Sequence, residues 1–247
     1  MKISIIGAGN IGGALARGWS RKGQEVTVTA RTQRTLEKFK GEENIHPMLD
    51  NVTAVQGADV IVLAVEPEIV VTVLSEIMSH VDTSRQIICS VAAGGTDRKN
   101  VIYCMPNIAA EFGESMTFIA RTEHTPEQHV EVLRDLFKLL GDVLVCAEHL
   151  MPAGLVMAGC GIAYVMRYLR AQTAAGVEMG FKPKEALRIA LQTTQGAVSL
   201  LHATGEHPEE AIDRVTTAGG RTIKGLNELD HTGFNSSIIR CLKAGLK

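Results

Sequence analysis

The sequence predicts an α/β protein: a doubly wound, mainly parallel sheet followed by an all-helical C-terminal domain. Three observations predict it. First, Gly7-Ala8-Gly9-Asn10-Ile11-Gly12 stands between an apolar strand, Ile3 to Ile6, and a helix-like run, Ala14 to Trp19. In that position the glycines allow a tight strand-to-helix turn whose N–H groups meet a phosphate. Second, strand and helix patterns alternate through the first 147 residues, which implies parallel strands joined by crossover helices. Third, after Glu148 the strand signals stop and helical periodicity takes over. The expected domains are therefore 1–147 and 148–247.

Each element carries its own signal. Glu25-Val26-Thr27-Val28-Thr29 is rich in β-branched residues and gives the second strand. Val60 to Val65 and Gln86 to Val91 are apolar runs of strand length. Between them, Ile69/Val70, Val73/Leu74 and Ile77 recur at helical spacing within Glu66 to His80. Val101 to Cys104 is the next strand, but Ala92 to Asn100 is too short for a crossover, which needs about 10 to 12 residues. Three possibilities stand there: a loop connection, a different pairing, or a missing segment. Met116 to Arg121 and Val143 to Cys146 complete the sheet around a helix from Pro126 to Leu140. The helical part then comprises Ala153 to Met179, Pro183 to His202, Pro208 to Val215, Thr222 to Leu229, and a last helix near the C-terminus.

Composition narrows the function. Apolar residues make up 45%, charged residues 21%, and the formal charge is −2, which gives no electrostatic footprint for nucleic acid. Cys89, Cys104, Cys146, Cys160 and Cys241 are odd in number, widely spaced and without a Cys-x-x-Cys pair. They read as buried, reduced thiols. No His-Glu-x-x-His or Cys/His cluster offers metal-ligand spacing, so no metal is expected. The apolar run at Ile3 passes at once into the glycine turn, so a secretory signal is not expected and a cytoplasmic location is. Leu150 to Met166 lacks charge and approaches the roughly 20 residues of a membrane span. Pro152, Gly154, Gly159 and Gly161 dilute it and suit close helix packing instead, inside a core or across a dimer interface. No membrane association is expected.

Two segments are candidate sites. The residue closing the second strand should lie beside the adenosine ribose, about 20 residues after the glycines. No acid stands there; the chain offers Ala30-Arg31-Thr32-Gln33-Arg34. A guanidinium at Arg31 and a hydroxyl at Thr32 suit a 2′-phosphate, so NADP(H) is expected rather than NAD(H). The alternative is that these arginines are solvated surface charges. Further on, Thr217-Ala218-Gly219-Gly220-Arg221-Thr222 precedes a helix. Its N–H groups and hydroxyls can receive a carboxylate, or the segment can be an ordinary interhelical turn with threonine caps.

At this point the chain resembles the pyrroline-5-carboxylate reductases along nearly its whole length. The resemblance rests on ordered motifs: Gly7 to Gly12, Leu63-Ala64-Val65 with Pro67, Ser90 to Gly94, Met105-Pro106-Asn107, and Gly113 to Thr117. It continues through Gly161 with Ala163-Tyr164-Val165, Gly219-Gly220 with Thr222-Ile223, and Gly225-Leu226 to Gly233-Phe234. The resemblance implies a Rossmann-type domain, a helical dimerisation domain, and NADPH-dependent reduction of a small anionic cyclic imino acid to proline. It implies a homodimer or higher homo-oligomer with substrate between two chains. Gly7, Gly9, Asn10, Ile11 and Gly12 would hold the cofactor phosphates, and Ala64, Val65 and Asn107 its nicotinamide end. Gly219 and Gly220 would bind the substrate carboxylate with help from Thr217 and Arg221, and Thr222 would stand at the imine nitrogen as the catalytic residue.

Several family positions differ. The usual lysine before Pro67 is Glu66, the arginine two places before Met105 is Tyr103, and Thr-Pro after Asn107 is Ile108-Ala109. The Ser-Gly-Ser-Gly-Pro motif is Ala158-Gly159-Cys160-Gly161-Ile162, and the proline before the glycine pair is Ala218. Two alternatives therefore stand beside the reductase: an NADP(H)-dependent reductase of another small imino or carbonyl acid, and a non-catalytic NADP(H)-binding module.

Overall fold

The computed structural model describes residues 1–94 and 100–246. The first half alternates strand and helix. It runs β1 (Lys2–Ile6), α1 (Asn10–Arg21), β2 (Glu25–Thr29), α2 (Gln33–Leu36), β3 (Ile45–Met48), α3 (Asn51–Val55), β4 (Val60–Leu63), α4 (Val70–Ile77) and β5 (Ile87–Ser90). It closes with β6 (Val101–Met105), β7 (Ser115–Arg121), α5 (Glu127–Lys138) and β8 (Gly141–Ala147). The eight strands form one sheet in the order β3-β2-β1-β4-β5-β6-β7-β8, parallel except where β6 meets β7.

Burial explains why these runs are strands. Ile3 and Ile5 pack on one face with Leu15, Trp19, Leu133 and Phe137; Ile6 packs on the other with Val55, Leu63, Leu74 and Ile77. A strand covered on both faces has no polar side, hence the unbroken apolar runs at β1, β4 and β5. The edge strand β3 carries no such signal. Its sequence, Ile45-His46-Pro47-Met48, contains a proline that only an edge tolerates, and it escapes a reading based on apolar runs. The helical run Glu66 to His80 is a central α-helix between two 3₁₀ turns, Pro67–Ile69 and Met78–His80.

The short connection after β5 joins neighbours. β5 and β6 pair in parallel, Ile88 with Val101 and Ser90 with Tyr103, which excludes a different pairing. Gly95 to Lys99, and with them the question of a crossover helix, lie outside the described residues.

The chain divides into two compact units, Met1–Gly159 and Cys160–Lys247. The division falls beyond Ala147 because the first turns after β8 pack on the sheet, where Met151 is buried with Tyr103, Met105 and Ala120. Those turns begin a helical stretch from Glu148 to Glu178, 31 residues, long and apolar enough by length and composition alone to cross a membrane. Within it, α6 (Met151–Gly154) passes through π-type turns at Leu155–Cys160 into α7 (Gly161–Glu178). The second unit continues with α8 (Pro183–Thr204), α9 (Pro208–Arg214), α10 (Arg221–His231) and α11 (Phe234–Ala244). α7 and α8 approach closely at Gly176, where an added Cβ would come within 3.0 Å of the Ala186 methyl. Of the cysteines, Cys89 and Cys104 are buried, Cys146 and Cys160 are partly buried and Cys241 is exposed, and all five are unpaired. The expectation of buried thiols is therefore corrected for Cys241, which is exposed.

Candidate functional site

The winding of the sheet reverses between β1 and β4. At such a reversal the loops leaving the strands part and open a crevice at their C-terminal ends. A cleft of about 420 Å³ occupies that place. Gly7 to Gly9 form one wall, Ala64, Val65 and Glu66 another, Arg31, Thr32 and Thr35 a third, and Leu49, Ile69 and Val73 an apolar end.

The glycine turn is shaped for a ligand. Gly7 has φ +112°, and a Cβ there would run into the Ala64 carbonyl, so the close approach of β1 and β4 requires glycine. Gly9 differs: an added Cβ would meet no protein atom within 4 Å, so packing does not explain the missing side chain. It lines the open cleft. Asn10, Ile11 and Gly12 begin α1, whose N-cap, Gly9, offers no side-chain cap. The leading N–H groups of that helix therefore remain for an anion.

At the ribose side, Arg31 and Thr32 line the cleft as expected, and Thr35 joins them. Thr32 caps α2, its Oγ1 accepting from the Thr35 N–H at 3.4 Å, with the two hydroxyls 2.9 Å apart. Thr29 Oγ1 donates to Asn51 Oδ1 at 2.7 Å, which fixes Asn51 in the cleft wall. Thr35, Leu49, Asn51, Ile69 and Val73 were not legible as site residues. Thr32-x-x-Thr35 is a capping spacing that could have pointed to Thr35, whereas Leu49 and Asn51 follow the unsignalled β3.

One cation reaches the turn from behind. Lys38 Nζ donates to the Ala8 carbonyl at 2.5 Å. Burial and the neighbouring Arg17 guanidinium lower its pKa, with Glu42 acting the other way.

Asn107 is not in the cleft wall. It follows β6 at the same C-terminal edge of the sheet; its Oδ1 accepts from the Ala109 N–H at 3.0 Å and its Nδ2 donates to the Ala158 carbonyl at 3.4 Å. Its side chain is thus engaged in capping the turn Ile108–Phe112.

Thr217, Gly219, Gly220, Arg221 and Thr222 belong to the second unit. The Gly220 N–H donates to the Thr217 carbonyl at 3.0 Å, closing a turn in which Gly219 has φ +68°. A Cβ on Gly220 would collide with the Thr217 hydroxyl. Gly220 is the N-cap of α10 and supplies no side-chain cap, while the Thr216 hydroxyl donates to the Ile212 carbonyl at the end of α9 at 2.7 Å. Among the described residues no group of three metal-ligating side chains comes together.

A reversed-winding parallel sheet with an open glycine turn at the reversal defines a dinucleotide-binding protein. Comparison with known proteins narrows the class. A model described as pyrroline-5-carboxylate reductase dimerisation matches residues 148–247, and one described as NADP oxidoreductase, coenzyme F420-dependent, matches residues 2–94. Pyrroline-5-carboxylate reductase 2 of Dictyostelium discoideum is 34% identical over 96% of this chain and 88% of that protein. The chain belongs to the pyrroline-5-carboxylate reductase family. Two solved reductases share its fold. That of Streptococcus pyogenes is 25% identical with a TM-score of 0.85, covering 100% of this chain and 96% of its own. That of Plasmodium falciparum, solved with NADP bound, is 23% identical with a TM-score of 0.85, covering 100% and 95%.

Proposed function

We infer that the protein is an enzyme reducing the cyclic imine of 1-pyrroline-5-carboxylate to proline with NADPH, an oxidoreductase acting on a carbon–nitrogen bond. The observation that carries this is the relationship to a pyrroline-5-carboxylate reductase over nearly the full length of both chains. The residues fit the dinucleotide: open space at Gly9 and uncapped N–H groups at α1 suit the pyrophosphate. Arg31, with the Thr32 and Thr35 hydroxyls beside it in the cleft wall, suits a 2′-phosphate. Ala64 and Val65 would flank the nicotinamide end, with Asn107 holding the neighbouring turn.

Bound dihydronicotinamide supplies a hydride to the imine carbon, while the nitrogen ends as a secondary amine after net uptake of one proton. The chain's own tasks are to orient the ring and move that proton. The N–H groups after Gly219 and Gly220, the Thr217 hydroxyl and the Arg221 charge would hold the carboxylate. Thr222 would hold a proton at the imine nitrogen through its hydroxyl.

Residues 148–247 would act as the substrate and dimerisation domain, and 1–147 as the dinucleotide domain, in a homodimer or higher homo-oligomer. The large exposed apolar side chains of α7 and α8, among them Met166, Leu187 and Leu191, support self-association. A second copy rather than lipid would cover them. Unpaired cysteines agree with a reducing, cytoplasmic setting, and the near-neutral charge argues against nucleic acid. Ala158, Cys160 and Ile162 replace family wall residues and favour, as the second reading, another small imino or carbonyl acid. The test is NADPH oxidation by the purified protein with 1-pyrroline-5-carboxylate, with proline identified as product. Tight NADPH binding without turnover would reject the assigned substrate.

A further inference from the structure

Beside the glycine turn the structure places a cation that bonds the backbone of the turn, Lys38 Nζ on the Ala8 carbonyl at 2.5 Å. Lys38 lies in the 3₁₀ turn Glu37–Phe39. Its Nζ is 5.2 Å from the centre of the Phe39 ring, which is 1% exposed. It passes Gly13 on α1, where an added Cβ would stand 3.4 Å from Nζ. One helical turn along, Arg17 lies over the same ring at 5.1 Å and pairs with Glu42 at 2.8 Å. Glu42, whose charge acts on Lys38, is thus already paired with another cation.

The placement runs against the usual helix rule. The N-terminal end of a helix is positive and disfavours cations, yet Lys38 reaches the Ala8 carbonyl just ahead of α1, whose first turn holds no acid. Bringing an anion into the turn would relieve that repulsion.

We propose that Lys38 is a positioning residue of the dinucleotide turn, its ammonium holding the Ala8 carbonyl so that the N–H groups of the turn and of α1 are set for the pyrophosphate. This rests on the dinucleotide reading above. Because the ammonium binds backbone common to both cofactors, its effect extends to NADH as well as NADPH, unlike that of Arg31.

The experiment is a fluorescence titration of NADPH and of NADH into the wild type and into Lys38→Met, Lys38→Gln and Lys38→Arg. Lys38→Met is expected to weaken both dinucleotides by about 10-fold or more, the scale of one charge-assisted hydrogen bond. Lys38→Arg is expected to restore most of the affinity and Lys38→Gln part of it. In steady state KM for the dinucleotide should rise while kcat at saturation holds. Unchanged affinity for both dinucleotides in Lys38→Met, or in Lys38→Gln if the methionine variant does not fold, overturns the proposal. So does a loss confined to NADPH, which would make Lys38 a 2′-phosphate contact, and a fall in thermal stability with affinities intact, which would make it structural only. A wild type that binds neither dinucleotide would overturn the cofactor reading itself.

Discussion

Thr222→Val keeps the shape of a side chain and removes one hydroxyl. If that hydroxyl holds the proton at the imine nitrogen, kcat should fall by about 100-fold or more, while NADPH affinity stays as it was. Unchanged turnover would take Thr222 out of the mechanism. Arg31→Asp should weaken NADPH by about 10-fold or more, the loss expected for charge-assisted bonds to a phosphate, and improve NADH. Glu66 adds a third test, because it lines the same cleft as Arg31 with the opposite charge. Glu66→Lys should tighten NADPH binding and steepen its weakening by salt, measured by titration at two ionic strengths. At this scale the sequence singled out the glycine turn, Arg31 and Thr32, which the structure gathers around one cleft, because their types and offsets are those that phosphate chemistry asks for. Thr35 and Lys38 were not visible, since each reaches the site only after the segment following β2 folds back over α1.

Between elements, α1 carries much of the packing. Trp19 is fully buried, its Nε1 donates to the Leu136 carbonyl at 3.0 Å, and its ring lies 5.2 Å from that of Phe137. Trp19→Phe would strand that carbonyl and open a gap, so stability to urea should drop by about 2 to 3 kcal/mol. Gly18→Ala tests the opposite fault. A Cβ there would run into the Ala110 carbonyl and come within 2.8 Å of Leu140 Cδ2, so α1 would be pushed off its neighbours at a cost of about 1 to 3 kcal/mol. The central strands were legible as continuous apolar runs because both faces are covered. β3 was not, because one short edge strand with a proline has neither an apolar run nor alternation. The π-type turns at Leu155–Cys160 were equally hidden, for helical periodicity survives one widened turn.

Over the whole molecule, the two units differ in how they bury surface. The sheet unit encloses two apolar layers, whereas in the helical unit burial is confined mostly to small residues such as Gly176, Ala186, Ala190 and Ala211. An apolar groove between α7 and α8, lined by Met166, Leu169 and Leu191, is left uncovered. Leu191, 49% exposed, is the place to test self-association: Leu191→Asp should shift the protein toward monomer in sedimentation velocity. NADPH at about 100 times its dissociation constant should raise stability by about 2.7 kcal/mol through binding to the folded state alone. The division into a sheet half and a helical half was legible from the end of strand signals at Ala147. The contact boundary at Gly159 was not, since it depends on Met151 packing back onto β6 and β7.

The most direct measurement is isotope transfer. The purified protein is given 1-pyrroline-5-carboxylate with NADPH deuterated at C4, on one face of the nicotinamide and then on the other, and the product is read by mass spectrometry and NMR. Deuterium should appear in proline from one of the two labelled forms, on the ring carbon that was the imine carbon. Proline free of deuterium from both, or no proline beside tightly bound NADPH, would contradict hydride transfer to this substrate.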